Sequence, residues 1–250
     1  MSALALRIIA CVAMLIDHIG YQYNIIAFRL VGRIAFPIFV YLLCNGYRYT
    51  SHRGRYALRL GLFALLSQIP FSLFCYGRLW DGNGNVMFTL LASLLCIWAA
   101  EELRAKRGLR LLAFAPAALV CFMYLLGIIH SDYGARGILM ALVFFYCDGK
   151  KLVNRVLMVL GMFVAVYHSY FLSMAKRLLL FALGSGLSLP QVNRWDAYQA
   201  FSLLALIFIF CYNGKKGNYP QGKLPAGILQ YGFYAFYPVH QLVLWLIRVL

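Results

Sequence analysis

Asp17 and His18 stand side by side in an otherwise apolar run, MLIDHIG, residues 14–20. A carboxylate beside an imidazole is a recurring general-base arrangement, in which the acid favours the charged ring and orients it. His18 lies 11 residues beyond Arg7. That is about 16 Å along a helix, near the middle of a hydrocarbon core about 30 Å thick. An ionisable group at that depth costs about 2.5–3.5 kcal/mol on insertion scales and usually marks function. Helix neighbours point about 100° apart, so two readings of Asp17 stand. It serves His18 as an electrostatic partner, or it pairs with Arg33 and pins two helices together.

Other polar groups are set into the apolar chain and are candidates for substrate or cofactor contacts. Arg33 opens the segment GRIAFPIFVYLLCNGYRYT, residues 32–50, which Pro37 is expected to kink. Tyr47 and Arg48 close it and lead into a basic loop with His52, Arg53, Arg55 and Arg59. Guanidinium forks suit phosphates, so this loop is either topological charge or a cradle for a cofactor bearing several phosphates. Gln68 precedes Pro70 in the next apolar stretch; Asn85 and Thr89 mark the start of the one after it. Asp132 and Tyr133 occupy a short loop, where a helix cap is the plainer role for the acid. Asn213 sits in another loop, and His240 follows Pro238 inside the last apolar run. No metal site is signalled. The soluble catalytic patterns G-x-S-x-G, G-x-x-x-x-G-K-[ST] and H-E-x-x-H are absent.

Membrane helices must position these groups. Of the 250 residues, 64% are hydrophobic and 12% charged, and mean hydropathy is +0.78. A soluble domain is about half apolar and about a quarter charged, so a soluble fold, a disordered chain and a disulfide scaffold are excluded. The seven cysteines lie in apolar stretches without a CxxC pair, which signals neither zinc nor a disulfide framework. The apolar run from Ile8 to Ile16 passes straight into Asp17 with no convincing cleavage site, so no removable signal is expected. Apolar segments fall at 4–27, 31–47, 58–77, 86–100, 111–129, 137–147, 156–172, 197–212 and 225–250. The expectation is one all-α polytopic domain over residues 1–250, with about nine crossings (eight to ten) and short loops. The stretch 173–196 reads as a short tenth span, a re-entrant hairpin or an interfacial helix.

The net charge of +16 comes from 23 Lys+Arg against 7 Asp+Glu. Nucleic acid is not the expected partner, because multi-span proteins gather cations in cytoplasmic loops. The cations near residues 7, 48–59, 104–110, 150–155 and 215–223 fall on one side if 173–196 does not cross. The expected topology is therefore a cytoplasmic N-terminus and an outer C-terminus, in a bacterial cytoplasmic membrane.

The motifs MLIDHIG (14–20), GRIAFPIFVYLLCNGYRYT (32–50), RLGLFALLSQIPF (59–71), NVMFTL (85–90), DYGARGIL (132–139), YNGKKG (212–217) and FYPVH (236–240) come in the order seen in the TraX family, which the chain resembles over nearly its whole length. That family is named for acetylation of the pilin N-terminus. Its first two helices look similar to those of the acyltransferase-three type of membrane acyltransferase, where a histidine near the first helix serves the transfer and cytosolic acyl-CoA supplies the group. By that resemblance His18 matches the catalytic position and Arg33 a cation ahead of the second helix. The implied activity is transfer of an acetyl group from cytoplasmic acetyl-CoA to an amine or hydroxyl of a peptide or glycan at the membrane. The rival classes are a proton-coupled transporter, for which paired broken-helix repeats are missing, and a non-catalytic pilus or envelope assembly factor.

Overall fold

The structure is a computed structural model that describes residues 1–183, 186, 189–192, 194–218 and 223–250. Among the described residues every named element is helical, and the one β-bridge joins Gly84 to Ser131. The helices are α1 (Ala3–Gln22), α2 (Ile26–Gly32), α3 (Ala35–Tyr49), α4 (Arg53–Leu66), α5 (Gln68–Tyr76), α6 (Val86–Ala105), α7 (Ala115–Leu125), α8 (Gly134–Tyr146), α9 (Leu152–Val166), α10 (His168–Ala182), α11 (Arg194–Gln199), α12 (Ala205–Phe210) and α13 (Lys223–Val249). Short 3₁₀ turns, Arg107–Leu112 and Ala200–Leu204, precede α7 and α12.

Prolines and caps decide where the chain breaks. The break between α2 and α3 falls at Arg33 and Ile34. Pro37 offers no N–H to the Arg33 carbonyl, and its ring crowds that carbonyl, so the interruption lies one turn before the proline. Pro70 stands in the same relation to the break at Ser67 between α4 and α5. Asn85 caps α6 by accepting the Met87 N–H at 2.9 Å.

Helix α3 is the centre of the bundle. It buries Ala35 through Ile38, Val40 through Asn45, and Tyr47, the all-round burial of a helix enclosed by others. A continuous core joins it to α1, α4, α6, α8, α9, α12 and α13. By contrast α7 buries Ala117 alone and α10 buries no residue, as expected of helices facing lipid.

Length and hydropathy account for five crossings among the described residues, or six if the bent pair α9–α10 counts as one. Nine is more than they account for. Helix α8 has 13 residues and rises about 20 Å, short of a hydrocarbon core of about 30 Å. The stretch Asp196–Phe210 is likewise among the shorter apolar helices. Helix α10 turns 69° away from α9, and the Ser169 hydroxyl donates to Asp196 at 3.0 Å. Residues 169 and 196 therefore meet at one end of the bundle. The part of this stretch at 184, 185, 187, 188 and 193 lies outside the described residues.

The two ends of the bundle differ in charge. At one end the Met1, Lys215 and Lys216 carbonyls accept from the N–H groups of Asn213, Ala3 and Leu4 at 2.9, 2.9 and 3.0 Å. At that end too, Arg48 pairs with Asp148, Arg53 with Glu102, and Tyr146 donates to Glu101. At the other end Tyr21 donates to the Cys75 carbonyl, and the Gly84 backbone bonds His130 and Asp132. The clustered cations thus share the N-terminal end. Reporter fusions at Arg55, Arg107, Lys150 and Lys216 should all mark one compartment. A fusion at Lys216 reporting the opposite side would contradict the pairing of residues 1–4 with 213–216.

Candidate functional site

The site begins with the turn between α1 and α2. Asn24 takes φ +56, a left-handed conformation that asparagine tolerates better than most residues. It sends the chain back along α1, and glycine permits the close approach. A Cβ on Gly32 would lie 2.1 Å from the Asp17 Cβ, and one on Gly20 would lie 2.7 Å from the Phe28 Cβ. Asp17 then meets two cations, Arg29 at 2.8 Å and Arg33 in a shorter pair. Arg33 is 4% exposed. Its Nε donates to the Arg29 carbonyl at 3.1 Å and its Nη1 to the Tyr133 hydroxyl at 3.4 Å.

Tyr133 is held against that guanidinium from the other side. Its φ is +65, which costs a non-glycine residue roughly 1–3 kcal/mol. Its ring stacks on Phe36 at 3.7 Å between centroids. The loop before it is tied down by Thr89, which bonds Ser131 at 2.7 Å and the Asp132 carbonyl, and by Tyr124, which bonds Ser131 at 2.6 Å. A strained residue kept in place by this many partners is typical of a functional position.

His18 points away from this network. Its Nδ1 lies 2.6 Å from Nε2 of His240, with the two ring planes 9° apart. Nδ1 of His240 lies 2.6 Å from the Phe236 carbonyl oxygen, and Phe74 packs beside His18 with centroids 5.2 Å apart. The partner of the imidazole is therefore a second imidazole. Asp17 belongs to the arginines, and its place as a catalytic partner of His18 is corrected to that of an acid pinning α1 to α2. The cause is the 100° offset between helix neighbours.

Around these groups lies a cavity of about 600 Å³, lined by Asp17, His18, Arg29, Arg33, Asp132 and Tyr133 among others. Its further lining by Asn83, Gly84 and His130 places it toward the end opposite the clustered cations. A second cavity, of about 310 Å³, is lined by Arg7, Tyr49, Tyr56, Arg59 and Gln230 at the cationic end. Phe39 and Leu90 line both, so these two side chains stand between them.

The remaining candidates separate cleanly. Gln68 and Asn85 are buried and occupied with each other and with the backbone. The Gln68 Oε1 accepts from the Asn85 backbone and side chain at 3.1 and 3.0 Å, and Asn85 donates to the Ala64 carbonyl at 2.7 Å. They fasten α5 to the start of α6 and are corrected from ligand contacts to structural ones. Thr89 holds the 131–132 loop in the same sense. Arg48 is taken by Asp148 and the Phe145 carbonyl. Arg53 is taken by Glu102 and lies over the Tyr47 ring. Arg55 is exposed and, like Tyr47, lines neither cavity. Asn213 accepts the Lys215 N–H within its own turn. Of the four arginines at 48–59, Arg59 lines the second cavity. Arg29, Arg136 and Arg7 are the cavity-lining cations that the sequence did not single out. The buried Arg136 pairs with Asp196 at 2.7 Å.

Fold and site together define a multi-pass helical membrane protein with a cavity lined by His18 and by the Asp17, Arg29 and Arg33 cluster. The chain matches the family described as TraX protein over residues 2–248 and belongs to that family. It is 27% identical over 261 residues to a probable fimbrial assembly protein FimC, serogroup H1, of Dichelobacter nodosus, covering 96% of this chain and 92% of that protein. No solved structure matches it.

Breaking the Asp17 bridge removes the carboxylate that Arg29 and Arg33 share. Asp17→Asn should destabilise the protein in detergent by about 3–5 kcal/mol, and adding Arg33→Gln should recover part of the loss. A double variant no more stable than the single one would contradict the pair. Gly32→Ala should also lower the thermal midpoint, because its Cβ overlaps Asp17.

Proposed function

We propose that this TraX-family protein is a membrane acetyltransferase, with His18 as general base and acetyl-CoA as donor. The observation that carries the reading is the position of His18 on a polar cavity that adjoins a second cavity, with Arg7 and Arg59 in its lining, across Phe39 and Leu90. Part of that second cavity is apolar, lined by Leu42, Leu43, Leu60 and Met87. The coenzyme's phosphates meet Arg7 and Arg59, and its pantetheine arm lies along the apolar part. Arg7 and His18 are about 16 Å apart along α1, a span that an extended pantetheine arm bridges. By the positive-inside rule the cationic end is cytoplasmic, so the donor enters from the cytoplasm and the N-terminus lies there too.

The acceptor, an amine or hydroxyl of a peptide or glycan, enters the larger cavity from the opposite end. His18 removes its proton as its nitrogen or oxygen attacks the thioester carbonyl. The carbon–sulfur bond breaks, and the departing thiolate takes the proton back from the imidazolium. Arg33 is buried and donates to Asp17, the Arg29 carbonyl and Tyr133. Arg29 lines the cavity with N–H groups to spare beyond those on Asp17, so it is the cation for the tetrahedral oxyanion.

A second reading rests on the fimbrial assembly name of the relative from Dichelobacter nodosus: a pilus-related membrane factor without catalysis. The donor separates the two. Acetyl-CoA at one hundred times its dissociation constant should stabilise the folded protein by about 2.7 kcal/mol. Arg7→Gln and Arg59→Gln should each weaken donor affinity about tenfold or more, a charge-assisted contact being worth about 1.5–3 kcal/mol. Arg48→Gln and Arg53→Gln should leave it unchanged. No thermal shift with acetyl-CoA or coenzyme A would remove the acetyltransferase reading and leave the assembly factor.

A further inference from the structure

The histidine pair carries an asymmetry that determines which nitrogen of His18 is the base. A backbone carbonyl only accepts hydrogen bonds. Nδ1 of His240, 2.6 Å from the Phe236 oxygen, must therefore carry the proton of that ring. In a neutral imidazole the other nitrogen is then a lone pair, so Nε2 of His240 accepts. The atom facing it at 2.6 Å is Nδ1 of His18, which must donate. The proton of His18 is thus on Nδ1, and its Nε2 holds the lone pair. Among the described residues no hydrogen bond engages that Nε2, and the ring lines the larger cavity.

We propose that His240 is a positioning residue that locks His18 in its Nδ1–H tautomer and leaves Nε2 as the basic atom, an assignment that rests on the acetyltransferase reading for its chemical use. The chain of donors runs from His18 Nδ1 to His240 Nε2, and from His240 Nδ1 to the Phe236 carbonyl. Its anchor is the α13 backbone, and the Phe236 ring stacks on His240 at 4.8 Å between centroids, which holds the second imidazole in plane. In the reaction Nε2 takes the acceptor's proton as the new bond to the thioester carbon forms. It returns that proton to the thiolate as the carbon–sulfur bond breaks. Nδ1 keeps its own proton on His240 throughout. The resulting imidazolium donates to His240 more strongly than the neutral ring does, so the contact tightens as the transition state is reached. This is the role a carboxylate plays toward the histidine of a hydrolase triad, taken here by a neutral ring because the nearby acid, Asp17, is committed to Arg29 and Arg33.

The test is the tautomer itself, read by nitrogen NMR on protein labelled with ¹⁵N-histidine in detergent. The chain has five histidines, and the His18 signals are assigned by their loss in His18→Asn. Wild-type His18 should show the neutral Nδ1–H pattern. In His240→Leu that pattern should give way to Nε2–H or a mixture. In His240→Gln, whose amide oxygen can accept from His18, it should persist. Where transfer is measured, His240→Leu should lower kcat by about 10²-fold, within the range general-base assistance is worth, with donor affinity unchanged. His240→Gln should restore most of that loss. An Nε2–H tautomer in the wild type, or a tautomer indifferent to His240→Leu, overturns the proposal. A tautomer that follows His240 in a protein that transfers no acetyl group upholds the positioning role and overturns the acetyltransferase reading, so the two fail separately.

Discussion

A carboxylate shared between two guanidiniums holds the first helix to the second. Asp17, Arg29 and Arg33 sit where the chain is otherwise apolar. Charges in such a place persist only when paired and hydrogen-bonded. The pairing demands that α1 and α2 approach closely, which Gly20 and Gly32 allow. It also settles the rotation of α1. With Asp17 turned to the arginines, the next residue points toward α5 and α13, where His18 meets Phe74 and His240. Arg33 in turn reaches Tyr133 at the start of α8. Four separate stretches of chain thus converge on the cavity because one acid has two partners.

Much of this is legible in the sequence, for a physical reason. An ionisable group among apolar neighbours stands out because its burial must be compensated, and Asp17, His18, Arg33 and His240 all stand out in that way. What compensates each is harder to read. Arg29 lies in a short helix just after the Asn24 turn, where an arginine attracts no notice, yet it shares Asp17. Gln68 and Asn85 stand out equally, but they satisfy each other and the backbone at a helix junction. Pattern alone does not distinguish a polar group awaiting a ligand from one already bonded. The cationic loop shows the same limit. Composition puts Arg48, Arg53 and Arg55 beside Arg59, and only partner acids distant in sequence, Asp148 in the turn after α8 and Glu102 on α6, reveal that two of them are spoken for. Segment count is legible only as far as length allows, since α8 and the 196–210 stretch are apolar but short.

The two cavities give the histidine its meaning. One is lined by cations at the charged end, the other by aromatic rings, acids and cations toward the opposite end, and Phe39 and Leu90 part them. A proton relay for transport would need ionisable groups along the whole path. Here the acids and histidines are concentrated around His18, and Leu42, Leu43, Leu60 and Met87 line part of the second cavity. That distribution suits a group carried on an apolar arm to a single base better than an ion moved stepwise. Membership of the TraX family and likeness to a fimbrial assembly protein support a pilus-related membrane protein.

On the proposed acetyltransferase reading, one histidine is served from both ends of the bundle. Sealed vesicles containing the protein in one orientation, loaded with envelope peptides and glycans, test it directly when acetyl-labelled acetyl-CoA is supplied only at the cationic end. Label should appear on material inside the vesicle with the wild type, and none should appear with His18→Ala, although that variant still binds the donor. Equal labelling by His18→Ala, or no labelling by the wild type against any enclosed acceptor, would contradict the account.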